Sequence, residues 1–299
     1  MSLALILPQW ELHRLALEWL SFDAPRFEVG GLVVGSDRKT ARLLGKSPGV
    51  FAGKPFAQAV FDAVGGLEVE WLINDGDEIS LESAKAKRPV AIVTGSANSI
   101  LLAERTALNI LARGSGVATL TRKYVRLCRT HPSNYQGHVA ATRKTTPGSF
   151  SLVEKYAVLV GGGSTHRMDL SQMTMLKDNH VWAVGSITAA VQRAKTVAGF
   201  SSKVEVEARS LEEAFEAAEA GADVVMLDNM TPQQVKHNSA VFKQRFPHVL
   251  LEASGGIDEE SIVDYLCPTI DVISLGKLTQ GYSTLDFSLK IDQKPVAKL

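Results

Sequence analysis

Four short apolar runs in the second half of the chain, residues 203–207, 223–228, 249–256 and 271–276, each end in a polar residue or a glycine. Glu207 to Asp228 is 21 residues, Asp228 to Ser254 is 26, and Ser254 to Gly276 is 22. That is the beat of strand, helix, strand. A chain that repeats it builds a parallel sheet and puts its chemistry at the C-terminal strand ends, as α/β barrels do. Here those ends carry two carboxylates and two glycine turns.

A chain of 299 residues has room for a barrel and a smaller domain. Lys plus Arg, 32, equals Asp plus Glu, 32, so the chain lacks the basic excess of a nucleic-acid binder. Two cysteines, Cys128 and Cys267, make no disulfide framework and no metal-ligand spacing; they suit a reducing compartment. No stretch reaches the roughly 20 apolar residues of a membrane span. Residues 1–8 are apolar but have no basic flank and are too few for a signal sequence. A cytoplasmic protein with no nucleic-acid or membrane partner is expected.

Leu12, Leu15, Ala16, Trp19 and Leu20 recur at helical spacing over 10–20, and Pro25 follows. Segments 40–51, 67–73 and 90–94 read as strands. A helix begins near Ser96 or Asn98, and Gly114 and Gly116 suggest its end. A domain boundary is placed there, at 114–118, before a second helix at 119–131. A strand at 137–142, a helix at 150–159, a strand at 173–176 and a helix at 186–198 lead into the four units. Ser210 and Glu213 read as a capping box, and Gly221 as a helix stop. The residues after Gly276 are expected to return to the first domain.

With a period of two, Lys203, Glu205 and Glu207 share one strand face. Charges inside a barrel need each other or a ligand. One reading is an internal ion pair of Lys203 with Glu205; the other is a site, with Glu207 at the strand end the better candidate. Asp228, at the next strand end, either joins Glu207 in holding Mg²⁺ through water and substrate oxygens or caps the loop at Asn229. Ser254, Gly255 and Gly256, and then Gly276, offer turns whose backbone N–H groups can hold a phosphate, although glycine turns are common. Arg143, Lys144, His166, Arg167 and Lys177 fall near strand ends in a neutral protein. The pattern suits a polyanionic small molecule with a divalent metal. A Schiff-base aldolase using Lys177 or Lys203, and a non-catalytic barrel that binds phosphorylated ligands, are the readings from other classes. Arg105 is an ordinary helical arginine by its spacing.

The runs Glu104–Asn109, Thr142–Gly148, Glu154–Tyr156, His166–Arg167, Lys177–His180, Lys203–Glu207, Met226–Asn229 and Ser254–Gly256 together resemble quinolinate phosphoribosyltransferases, most closely the eukaryotic, fungal-like branch. The resemblance implies an α/β fold. A smaller open α/β sandwich domain over 1–115 would stand beside an incomplete, seven-stranded α/β barrel over 116–277, and 278–299 would return to the first domain. It implies phosphoribosyl transfer from phosphoribosyl pyrophosphate to quinolinate with decarboxylation, using Mg²⁺. It implies a dimer, or a hexamer of three dimers, in which Arg105 enters the neighbouring site. Arg143 and Arg167 would grip the quinolinate carboxylates with that Arg105, and His166, Lys144 and Lys177 would complete a cationic pocket. Glu207 and Asp228 would serve ribose and metal. Ser254, Gly255, Gly256 and Gly276 would hold the 5′-phosphate. Transfer to nicotinate is the nearest rival within that chemistry. One position departs from the family pattern: Ser151 stands where relatives usually carry an arginine, in a loop with one residue more. It marks either a tolerated loop change or a weakened anion pocket.

Overall fold

The computed structural model describes residues 3–83, 85–133 and 135–292. The chain runs through α1 (Gln9–Asp23), α2 (Val29–Val34), β1 (Arg38–Gly45), β2 (Gly49–Val50), α3 (Lys54–Val64), β3 (Glu68–Trp71), β4 (Glu78–Ile79) and β5 (Arg88–Ser96). Next come α4 (Ala97–Thr130), β6 (His138–Ala141), α5 (Phe150–Gly161), β7 (Thr174–Leu176), α6 (Asp178–Val184), α7 (Ile187–Ala198) and β8 (Val204–Ala208). The remainder is α8 (Leu211–Glu219), β9 (Val224–Asp228), α9 (Pro232–Arg245), β10 (Leu250–Ser254), α10 (Ile262–Tyr265), β11 (Val272–Leu275), α11 (Lys277–Gln280) and β12 (Phe287–Ile291).

Its contacts divide the chain into two units, and the cut is not a single point in sequence. One unit takes the chain through Arg122, the stretch Thr146–Gly162, and the chain from Tyr282; the other takes Lys123–Thr145 and Gly163–Gly281. The first is built on an antiparallel sheet in the order β12-β1-β5-β3. Its last strand comes from the chain's end, pairing Ala41 with Ile291 and Gly45 with Phe287. A bulge between Leu43 and Leu44 shifts the β1–β5 register. Helix α5 belongs to this unit for visible reasons. Glu154, fully buried, accepts hydrogen bonds from Thr146 N at 2.8 Å, Thr146 Oγ1 at 2.9 Å and Tyr282 Oη at 3.4 Å. Tyr156 Oη donates to Asp75 at 2.7 Å, and burial holds the Asp75 carboxyl above its usual range.

The second unit is an incomplete α/β barrel. Six parallel strands lie in the order β6-β11-β10-β9-β8-β7. Beyond β6, Ser164 adds a one-residue parallel bridge to Ala140, a seventh position too short to be a strand. Strand β9 reads as an almost unbroken apolar run because both of its faces are covered, whereas β8 alternates valine with glutamate and is nonetheless largely buried. Val204 and Val206 are wholly buried, as are Val225 and Leu227. Strand ends thus meet at one rim in an order set by pairing rather than by sequence.

Helix α4 corrects the sequence reading at Gly114 and Gly116. The helix does not stop there; it runs without a break over 34 residues, and the helices expected at 96–114 and 119–131 are one. The glycines serve packing. A Cβ on Gly114 would come within 3.1 Å of the Ala52 carbonyl oxygen, and one on Gly116 within 2.5 Å of that of Ser283. Close backbone approach outweighs the roughly 1 kcal/mol that a glycine costs inside a helix. Ser210 caps α8 by accepting from Glu213 N, but the Glu213 side chain turns to Arg209 instead of closing the box. The complete polar box sits at α9, between Thr231 and Gln234, where the sequence reading had no helix start.

Candidate functional site

Following the strand order around the barrel rim places the functional side chains. Thr142, Arg143 and Lys144 follow β6. Beside them come Gly276 after β11 and Ser254, Gly255 and Gly256 at the end of β10. Asp228 ends β9, Glu207 lies near the end of β8, and Lys177 follows β7. His166 and Arg167 close the gap between the two edges of the sheet: Ser164 bridges to β6, and Arg167 Nη2 reaches Met175 Sδ on β7 at 3.4 Å. The rim therefore carries one cationic arc, then two glycine turns, then two carboxylates. They surround a cavity of about 610 Å³.

Eleven of the twelve residues singled out in the sequence line that cavity: Arg143, Lys144, His166, Arg167, Lys177, Glu207, Asp228, Ser254, Gly255, Gly256 and Gly276. Arg105 does not. It sits on an exposed face of α4. Ser151 is not a lining residue either; it lies in the first turn of α5, where its hydroxyl donates to the Gly148 carbonyl at 2.9 Å.

Local geometry explains the residue types. The turns after β9 and β10 pack face to face, with Asn229 N donating to the Ser254 carbonyl at 2.9 Å. Asn229 adopts φ 55 and Gly255 φ 100, both left-handed. A Cβ on Gly255 would stand 2.7 Å from the Asn229 backbone nitrogen, so only glycine fits. Gly276 meets Lys144 less tightly: a Cβ there would lie 3.1 Å from Lys144 Cδ. Thr279 Oγ1 holds the Lys144 carbonyl at 2.8 Å, which fixes the backbone beneath that cation.

Charge is arranged in opposition. Lys177 Nζ binds Glu207 Oε1 at 2.6 Å. Asp228 Oδ2 accepts from Asn229 Nδ2 at 2.6 Å, so the loop-capping role and a place in the cavity coexist. Burial first, and then the charge of Glu207, raise the Asp228 carboxyl above its usual range. Two carboxylates at the ends of adjacent strands, facing one cavity, fit a divalent cation. Burial and the nearby Arg143 lower the Arg167 guanidinium, while Glu205 and Glu252 raise it.

The interior ion pair expected between Lys203 and Glu205 is absent. Lys203 is exposed, before the start of β8, and Glu205 is fully buried. His166 faces Glu205 instead, Nε2 to Oε2 at 3.7 Å. Burial, and then Glu252, push the Glu205 carboxyl well above its ordinary range. The His166 ring is 7% exposed. Its Nδ1 accepts the Arg167 backbone N–H at 2.8 Å and its Nε2 lies 3.0 Å from Glu252 Oε2. Both ring nitrogens are thus engaged within the protein. Glu252, Met175, Met226, Ile257 and Gln280 line the cavity without having been picked out in sequence. Glu252 did leave a signal: it is a charge inside the run 249–253, two residues before Ser254, and so on the same strand face.

The sequence matches a known group of proteins over most of the chain. Residues 28–115 match the N-terminal domain of the quinolinate phosphoribosyl transferase family, and residues 117–290 match its C-terminal domain. A nicotinate-nucleotide pyrophosphorylase [carboxylating] of Dictyostelium discoideum is 48% identical over 302 residues, covering 98% of this chain and 100% of that protein. The Homo sapiens protein of the same name is 48% identical over 296 residues, covering 99% and 97%. The solved structure of the nicotinate-nucleotide pyrophosphorylase from Francisella tularensis superposes with a TM-score of 0.85 at 33% identity, covering 96% of this chain and 98% of that one. With both domains matched in order and the strand-end residues gathered at one rim, the chain belongs to the quinolinate phosphoribosyl transferase family.

Proposed function

We propose that this protein transfers the phosphoribosyl group of phosphoribosyl pyrophosphate to the ring nitrogen of quinolinate and releases pyrophosphate and carbon dioxide, leaving nicotinate mononucleotide. The observation that carries this reading is the rim itself: a cationic arc, two glycine turns and a carboxylate pair around one cavity. Quinolinate brings two adjacent carboxylates. Arg143 and Arg167 suit them, because a guanidinium fork binds a carboxylate in two places where an ammonium offers a point charge. Arg105 is exposed and would serve a neighbouring copy, so a dimer, alone or as three dimers in a hexamer, is part of the proposal. The N–H groups of Gly255 and Gly256 suit the 5′-phosphate. Glu207 and Asp228 suit the ribose hydroxyls and would hold Mg²⁺ through water and substrate oxygens. When bound, the metal supplies charge neutralisation for the pyrophosphate that departs.

In the reaction the pyridine nitrogen forms a bond to ribose C1 as the bond to pyrophosphate breaks. Lys144 and Lys177 would stabilise the charge that develops on the leaving group. The ring nitrogen is then a pyridinium. It draws in the electron pair left when the adjacent carboxylate departs as carbon dioxide, and the ring carbon takes up a proton. Orienting the dicarboxylate and excluding water are the work of Arg143, Arg167 and the apolar walls from Met175, Met226 and Ile257.

The test is carbon dioxide release from carboxyl-labelled quinolinate with Mg²⁺, with and without phosphoribosyl pyrophosphate. Donor-dependent release with nicotinate mononucleotide formed is expected. Folded protein that releases none, or that prefers nicotinate in competition, overturns the reading.

A further inference from the structure

Glu252 is a carboxylate whose hydrogen bonds reach toward both ends of the rim. It is 1% exposed and belongs to none of the roles described above. One of its oxygens, Oε2, lies 3.0 Å from His166 Nε2. The other, Oε1, accepts from Ser274 Oγ at 2.5 Å, and Ser274 Oγ lies 2.9 Å from Ser254 Oγ.

The direction of each bond follows from counting hydrogens. His166 Nδ1 accepts the Arg167 backbone N–H, so the ring's proton is on Nε2 and is donated to Glu252. This bond also anchors a strained backbone, because His166 is a non-glycine residue at φ 55. A serine hydroxyl has one hydrogen. Ser274 gives it to the carboxylate, the stronger acceptor, and its oxygen stays in contact with the Ser254 hydroxyl at 2.9 Å.

We infer that Glu252 is a positioning residue for both substrates: through His166 it fixes the Arg167 backbone at the dicarboxylate end, and through Ser274 it fixes Ser254 at the phosphate end. The inference rests on the reaction proposed above. It predicts an asymmetry between variants that a general loss of packing does not produce. Glu252→Ala removes both acceptors. Glu252→Gln keeps an amide oxygen for His166 and turns its NH₂ to Ser274, which then accepts where it had donated, but leaves the arginine end intact. Ser274→Ala touches only the phosphate end.

The experiment measures KM for quinolinate and for phosphoribosyl pyrophosphate separately in wild type, the three variants and the Glu252→Ala/Ser274→Ala double variant, with melting temperature and circular dichroism as folding checks. Glu252→Ala is expected to raise both KM values by about tenfold or more, the usual scale for losing a hydrogen bond to a charged group. Glu252→Gln should hold the quinolinate KM within about twofold of wild type and move only the donor's. Ser274→Ala should likewise move only the donor's. In Glu252→Ala with Ser274→Ala, the donor KM should be no worse than in Glu252→Ala alone. Unchanged KM values in folded Glu252→Ala, equal loss at both ends in Glu252→Gln, or a matched rise for both substrates in Ser274→Ala each overturn the inference. If Glu252→Ala does not fold, the other two variants still decide it. Absence of turnover in wild type would instead count against the reaction, so the two failures are distinct.

Discussion

Asp228 is held away from its preferred state by its surroundings. Burial and the charge of Glu207 raise its carboxyl above the usual range, against the pull of Asn229, Lys177 and Lys144. A carboxyl raised on folding stabilises the fold below its unfolded pKa, and that contribution is lost as pH rises through its folded one. In metal-free protein at neutral pH, ionised Asp228 is therefore a local destabilisation. Asp228→Asn is expected to raise the melting temperature in the presence of a chelator at pH 7, with the difference closing below about pH 4. The same variant should lose about 100-fold or more in activity, because a carboxylate at the ribose and metal end is gone. A melting temperature equal to wild type at pH 7 would contradict the charge argument. At this scale the sequence was informative wherever a polar residue ended an apolar run, as with Glu207 and Asp228. It was poor for His166, whose partners Glu252 and Glu205 are 86 and 39 residues away in sequence, numbered from His166. Hydrogen-bond partners across a barrel leave no local pattern.

Helix α4 is the element that local reasoning misjudged. Gly114 and Gly116 carry the composition of a helix stop, yet neither has the left-handed φ that a stop uses. What decides their identity is the carbonyl of Ala52 against one and that of Ser283 against the other. Gly116→Ala improves intrinsic helix propensity and should nonetheless destabilise the protein by about 1–3 kcal/mol, the scale of overpacking. Chemical denaturation checks this; a neutral or stabilising result would mean that the segment at Ser283 moves aside easily. The strands of the barrel were legible because short, mainly apolar segments, each closed by a polar residue or a glycine and separated by helices, leave few other folds. Helix α9 was not, since its residues are mainly polar and only Val235, Ser239 and Phe242 are buried. Its start at Thr231, Pro232 and Gln234 was the available signal.

For the whole molecule the open matter is where Arg105 acts. It lies outside the cavity of its own chain, and among the described residues no helix is long and apolar enough to cross a membrane. If Arg105 completes a neighbour's site, Arg105→Ala and Lys144→Ala proteins are each nearly inactive, and mixing them after dissociation restores up to about a quarter of wild-type activity, because half of random dimers are mixed and each holds one intact site. No recovery in mixtures that have exchanged subunits would place Arg105 elsewhere. By itself the sequence determined the strand beat, the residues at each strand end and the family pattern, because those are properties of consecutive residues: period, capping and order. Only the tertiary structure decided that the last strand, Phe287–Ile291, pairs with Arg38–Gly45, that Gly116 is packing rather than a stop, and that Glu252 joins His166 to Ser274. Each of these is a contact between residues far apart in the chain, and its energy depends on distances that no local pattern encodes.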